Sequence, residues 1–568
     1  MNKMKRGRLC IFLMCAISLK VISTNKHKKN PIVTVKQGKL RGESDLLFNG
    51  ARYYSFKGIP YAAPPIGNLR FKAPQPPLPW KGIRDATKFG SVCTQLNQTK
   101  VGEEDCLFLN VYTRSMNKNA KTPVILYIFG GGFSYGSGSV YYGDFLLQHD
   151  VLLVTVNYRL EMLGFLSLDI PEAPGNAGMK DQVAALRWIK DNIINFGGDP
   201  DNVTIFGDSA AAGSVTFHMV SPMSRGLFHR AICQSGSFFN DWALAADKIK
   251  RAFRVGKILG KETNDIYELY QYFMSLDKYK LTNVTLSSMT YDEIYRGPPG
   301  QFIPAIEKEF PDVEAFLTEH PITILQKGNV AKVPLLIGYN NGEGLLYLNR
   351  YLESLAVYSK EPSYFVGRYV ANQVSPEKLE EFGKRIVRFY AGNKTLTKED
   401  VNALTKIIGD TTYNYNIHRF INSYANFSHP IYMYKFHLDT ELNVAKVMFG
   451  VGHLKGASHG DELWYLFKNF QNDYLYEKYL RLRAIIYRVS KLWTDFAKTG
   501  EPISRNSDEE YWKPFTIKDK EYYNIDDTFS MGYYADKERV EFWDEIYEEA
   551  GLPHIKSINV ESDDTNLV

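Results

Sequence analysis

The sequence predicts an α/β protein: a mostly parallel central sheet flanked by helices, with a helical cap region. Three observations predict it. Short β-branched runs recur at 124–129, 151–158, 203–206, 230–234, 333–337 and 431–436. Each is apolar on both faces, as strands of a sheet covered on both sides must be. A helical segment separates the second run from the third, and strand, helix, strand in that rhythm implies parallel pairing with right-handed crossovers. Finally, a serine flanked by small residues follows the third run and leads into another helical pattern.

The chain opens on a basic stretch, Lys3, Lys5, Arg6 and Arg8, followed by an apolar run of eleven residues at 9–19 and small residues near Ser18 and Ser23. The run is too short for a bilayer, which needs about 20 residues. Residues 1–23 are therefore expected to be a signal peptide, with an uncleaved anchor as the competing reading. Together with Lys20 these basic residues account for the whole formal charge of +5. A nucleic-acid partner then has no electrostatic support. No later segment is apolar enough to span a membrane, and the C-terminus carries neither a lipid-anchor signal nor an ER-retention tetrapeptide. The expectation is a secreted protein, residues 24–568 forming one domain without a membrane anchor.

Cysteine usage agrees with export. Cys10 and Cys15 leave with the signal, Cys93 and Cys106 are close enough to staple one loop, and Cys233 lies in an apolar run as a buried free thiol. Glycosylation triplets stand at Asn97, Asn202, Asn283, Asn393 and Asn426, although such triplets are frequent by chance.

Within 178–195, Val183, Leu186, Ile189 and Ile193 recur at spacings of three and four, and Gly197-Gly198 ends the helix. The stretch 242–332 has mixed helical character and is assigned to the cap. The run 203–206 enters Gly207-Asp208-Ser209-Ala210-Ala211-Ala212-Gly213. On a tight strand-to-helix turn the serine Oγ is forced out of the chain into a cleft, and small neighbours let strand and helix backbones approach. Taken alone, the string also reads as an ordinary helix start.

Phe129-Gly130-Gly131-Gly132-Phe133 follows another apolar run. Its glycines leave backbone N–H groups unshielded, as stabilisation of a tetrahedral oxyanion requires. A nucleophilic serine needs a base held by an acid, in the chain order Ser, acid, His for this architecture. Among eleven histidines, His459 sits in the small-residue loop Gly456-Ala457-Ser458-His459-Gly460-Asp461-Glu462. Its nearest competitor, His453, has no such neighbours. Glu343 follows the run 333–337, where sites on parallel sheets gather; a solvated loop glutamate is the other reading. The chain has no His-Glu-x-x-His string and few cysteines, so neither a metal nor a cofactor is expected.

The chain closely resembles the type-B carboxylesterase and cholinesterase family, particularly its insect secreted esterases, from about Lys36 to about Trp543. The resemblance rests on Phe56-Lys57-Gly58-Ile59-Pro60-Tyr61-Ala62 with Leu69-Arg70-Phe71, on Glu104-Asp105-Cys106-Leu107-Phe108-Leu109-Asn110-Val111-Tyr112, and on Asn157-Tyr158-Arg159. Asp181-Gln182, Phe196-Gly197-Gly198-Asp199-Pro200 and Gln234-Ser235-Gly236-Ser237 complete it. It implies the α/β-hydrolase fold, a triad of Ser209, Glu343 and His459, and oxyanion N–H groups from Gly131, Gly132 and Ala210. It also implies the family's first disulfide at Cys93–Cys106 and a serine, Ser235, behind the triad. Phe133 and Trp242 are expected to line the substrate pocket, a core tryptophan being the other reading of Trp242.

Three departures stand out. Ala211 replaces the family's usual glycine two residues past the serine, and Phe129 stands where His or Tyr is common; neither removes a catalytic atom. The 93–106 loop is short and has no tryptophan, whereas cholinesterases carry there a cation-binding Trp. The resemblance therefore implies a carboxylic ester hydrolase acting on a small-molecule, fairly apolar ester, not a cholinesterase. A juvenile-hormone or odorant- or pheromone-degrading esterase is the narrower alternative, although juvenile-hormone esterases usually have Gln at the position of Asp208. A catalytically inactive binding or adhesion protein is the alternative of another class.

Overall fold

Strands that are apolar on both faces are stable only where helices cover both, and each Val, Leu or Ile buried there contributes about 1.5–3 kcal/mol. This is the arrangement in the computed structural model, which describes residues 30–552 apart from 98, 283, 285, 299–301 and 428. The leader expected at 1–23 lies outside the described residues. In chain order the strands of the main sheet are β1 (Glu43–Leu46), β2 (Arg52–Pro60), β3 (Phe108–Thr113), β4 (Thr122–Ile128), β5 (Leu152–Val156) and β6 (Gly198–Asp208). They continue as β7 (Arg230–Gln234), β8 (Leu335–Asn340), β9 (Ile431–Phe436), β10 (Glu521–Ile525) and β11 (Ser530–Tyr533). Their spatial order is β11-β10-β9-β8-β7-β6-β4-β5-β3-β2-β1.

The strands from β5 to β10 in space run parallel, and antiparallel strands close both edges. This is the mostly parallel, helix-flanked sheet of the α/β-hydrolase fold. All six expected apolar runs are central strands, and β5 and β8 are buried at every position. The outer strands β1, β2, β3, β10 and β11 were not expected. In β10 buried and half-buried residues alternate, so the strand presents no continuous apolar run.

The expected helix at 178–195 is α1 (Ala177–Asn192), after which a tighter turn, Ile193–Phe196, leads to Gly197 at φ +80°. A side chain on Gly197 would lie 2.3 Å from the Ser115 carbonyl oxygen, so this C-cap demands glycine. α2 (Ala210–Val220) follows β6 without a loop. Helix Leu480–Thr499 packs onto the sheet, with Trp493 buried against Tyr434 of β9. Within 242–332 the chain forms helices Lys248–Leu259, Ile266–Ser275, Lys278–Thr282, Tyr291–Tyr295 and Pro321–Gln326. The helical layer extends further: residues from 345 to 415 and the helix Lys537–Glu549 enclose a second apolar cluster.

Cys93 and Cys106 are joined, Cα to Cα 4.9 Å, and Cys233 is a buried free thiol. By chain entropy a loop this short contributes roughly 3 kcal/mol. Gln95, inside that loop, exchanges hydrogen bonds with Gly136 in both directions (3.0 and 2.9 Å), so the staple also steadies the segment that follows Gly130-Gly131-Gly132. Of the expected glycosylation positions, Asn393 is exposed and Asn426 half-buried, while Asn283 and the side chain of Asn97 lie outside the described residues. Among the described residues no helix is long and apolar enough to cross a membrane.

Candidate active site

The site is built at the carboxyl ends of β4, β6 and β8, where parallel sheets gather their functional loops. Register sets these ends level: Asp208 pairs with Gln234, and Gln234 with Gly338. One residue on, Ser209 has φ +54° and ψ −123° before α2 begins. A non-glycine residue held there stores about 1–3 kcal/mol of strain. Its N–H donates to the Gln234 carbonyl (2.7 Å), and its carbonyl accepts from the Gly213 N–H (3.1 Å). A side chain on Gly207 would meet the Ala211 backbone at 2.5 Å, and one on Gly236 the Ser209 carbonyl at 2.5 Å. The Ala211 methyl, unexpected by family pattern, lies over Gly207, which has no side chain to oppose it.

Beyond β4, Gly131 and Gly132 take φ +102° and +61°. A Cβ on Gly131 would be 2.1 Å from the Tyr135 carbonyl oxygen, and its own carbonyl accepts from Ser134 and Tyr135 N–H (3.0 and 3.2 Å). Ala210 is the first residue of α2, where helical N–H groups have no partner within the helix. The Phe129 side chain faces the core, stacked on Tyr158, whose hydroxyl donates to the Phe129 carbonyl (2.9 Å). One expectation is corrected. Phe133 is 0% exposed and packs edge-on against Phe165, because its positive φ of 59° sends the ring into the core and away from the cavity wall.

Glu343 lies in a short turn after β8 and is 1% exposed, so it is no solvated loop residue. Its Oε2 meets His459 Nδ1 at 2.6 Å. Its Oε1 accepts from Ser235 Oγ (2.5 Å) and from the Asn340 N–H (2.7 Å). The two loops are laced together. Gly342 N–H donates to the Ala457 carbonyl (2.9 Å), Ala457 N–H to Asn341 Oδ1 (2.8 Å), and Asn340 Nδ2 to the Ser458 carbonyl (2.7 Å). Tyr413, from a wide helical turn at Asp410–Asn414, stacks on the imidazole at 4.3 Å. His453, the competing base, is exposed.

Burial by itself depresses the His459 pKa, but the charge and hydrogen bond of Glu343, joined by Glu462 and Asp208, outweigh it and hold His459 above its ordinary value. Burial, then the neighbouring Glu343 charge, pushes Glu462 up: two carboxyls side by side cannot both ionise freely. Burial likewise raises Asp208, against the Tyr127 hydroxyl, the His459 charge and the Gly130 N–H.

Ser209, His459, Gly131 and Gly132 all open onto one cavity of about 680 Å³, within the range of small-molecule sites. Its walls include Trp242, Tyr135, Tyr347, Tyr413 and Trp464. Trp242 serves two ends, since its indole N–H donates to the Thr412 carbonyl (2.8 Å) inside the core. The arrangement can place a hydroxyl nucleophile, a base steadied by a buried carboxylate, and backbone donors around one reacting carbonyl. Asp208 as a structural contact, Glu462 and Tyr413 were not among the expected site residues. Asp208 and Glu462 stood inside quoted motifs, whereas nothing local marks Tyr413. Among the described residues no cluster of His, Cys, Asp and Glu could hold a metal ion.

A model of the carboxylesterase family matches residues 29–543. Esterase E4 of Myzus persicae is 34% identical over 527 residues, 89% of this chain and 91% of its own. Juvenile hormone esterase of Tribolium castaneum is 34% identical over 509 residues, 83% of this chain and 84% of its own. Among solved structures, juvenile hormone esterase from Manduca sexta with OTFP covalently attached superposes with a TM-score of 0.82 at 26% identity, covering 92% of this chain and 100% of the other. With a family match across most of its length and an α/β-hydrolase sheet, this chain belongs to the carboxylesterase family.

Proposed function

We propose that this carboxylesterase hydrolyses a neutral, fairly apolar ester by acyl transfer to Ser209. His459 takes the Ser209 proton as Oγ attacks the ester carbonyl, and Gly131, Gly132 and Ala210 N–H groups receive the developing oxyanion. The imidazolium then gives its proton to the departing alcohol oxygen. Water, activated by the same histidine, releases the acid and restores Ser209. Glu343 keeps His459 in the tautomer whose Nε2 can accept, and it stabilises the imidazolium. The observation that carries this reading is the buried chain Ser235–Glu343–His459 ending in the cavity that Ser209 opens onto.

Aromatic walls support an apolar substrate. Residues 1–23 are proposed as a secretion leader, supported by the Cys93–Cys106 bridge, which persists in oxidising compartments. A panel of p-nitrophenyl esters of rising acyl length, with juvenile hormone included, tests the substrate class. kcat/KM should rise as longer acyl chains bury more apolar surface, at about 0.8 kcal/mol per methylene, until the cavity is full. A preference for acetate over every longer acyl group would refute the apolar-substrate reading. Juvenile hormone turned over faster than the best synthetic ester would establish the narrower activity suggested by the named relatives.

A further inference from the structure

The mechanism above leaves Asp208 without a task, although it precedes the nucleophile and is buried at the cavity edge. The ladder between β4 and β6 ends at the pair Ile128–Gly207. One step on, the Asp208 carboxylate takes over. Its Oδ1 accepts from the Gly130 N–H (3.0 Å) and from the Tyr127 hydroxyl (2.7 Å). Its Oδ2 rests on Gly130, where an added Cβ would stand 2.6 Å away. Tyr127 is itself fully buried, packed among Tyr141, Phe206 and Phe467 with ring centroids 4.4–4.9 Å apart. So the residue that begins the glycine loop is fastened by a side chain belonging to the nucleophile turn.

We propose that Asp208 is a positioning residue: its carboxylate sets the separation between Ser209 and the Gly131 and Gly132 N–H groups. This rests on the reading that those groups hold the oxyanion. A run of glycines has no side chains with which to hold its own path, so it needs an outside fastening. Misplacing donors by about 1 Å can lower a rate about 10²-fold. The fastening requires an acceptor oxygen on a short stem and not a negative charge, which separates it from an electrostatic role toward His459. Asparagine keeps the acceptor and loses the charge; alanine loses both.

The test compares Asp208→Ala, Asp208→Asn and Tyr127→Phe for kcat, KM, the pH profile and inhibition by a trifluoromethyl ketone, whose serine adduct places an oxyanion in the same hole. Asp208→Ala should lower kcat by about 10²-fold with KM within about threefold, and ketone affinity should weaken by the same factor. Asp208→Asn should recover at least about tenfold of that loss, and Tyr127→Phe, which removes only one hydroxyl, should fall in between. Equal impairment of the Asn and Ala variants, with the acid limb of the profile moved in both, would overturn the proposal. So would an Asp208→Ala enzyme whose KM alone rises while ketone affinity holds. Failure of the underlying reading looks different: the unmutated protein would neither turn over esters nor bind the ketone.

Discussion

Ser209→Ala lowers kcat by at least about 10⁴-fold toward every ester the protein hydrolyses, leaving only what oxyanion donors and binding achieve on their own. The fold should be indifferent. Alanine keeps the Cβ, so the strained φ of +54° is neither relieved nor worsened, and the backbone hydrogen bonds to Gln234 and Gly213 do not involve the hydroxyl. An unchanged melting temperature beside lost turnover is therefore the expected pair of results. Turnover within about tenfold of the unmutated enzyme would mean that another group accepts the acyl chain.

Replacing His459 has a comparable effect. His459→Ala should abolish nearly all turnover while His453→Ala, on the exposed side of the same loop, stays within about threefold. The acid limb of kcat/KM reports protonation of the free base. Because Glu343 and its neighbours overcome burial and hold His459 above its ordinary value, activity should fall as pH drops, with the acid limb lying higher than an unperturbed histidine would place it. Glu343→Gln removes the largest raising influence, so the limb should move to lower pH while kcat falls about 10⁴-fold through loss of the oriented tautomer. A limb that stays in place in Glu343→Gln would show that this carboxylate does not face the working base.

Much of this was legible in the residues because central strands and tight turns are local events. Unbroken β-branched runs marked the six central strands, and Gly207 with Gly236 revealed their purpose once each proved to leave no room for a Cβ. The outer strands escaped: in β10, for example, Glu521 and Asn524 interrupt the tyrosines and Ile525, so no unbroken apolar run marks it. Position alone left Glu343 ambiguous. The role proposed for it rests on burial and on Ser235, 108 residues away, and His459, 116 residues away, which no spacing discloses. Phe133 was misplaced because its direction depends on a positive φ that aromatic residues rarely adopt. Tyr413 reaches His459 from a widened helical turn, a backbone feature without a simple residue signature.

The purified protein is treated with a radiolabelled organophosphate, digested, and the modified peptide located by mass spectrometry. The prediction is a single equivalent of label on Ser209, lost together with turnover in Ser209→Ala. Label on a different serine with Ser209 bare would contradict the mechanism. So would a chain that takes no label and hydrolyses no ester, which would be a binding protein built on an esterase fold.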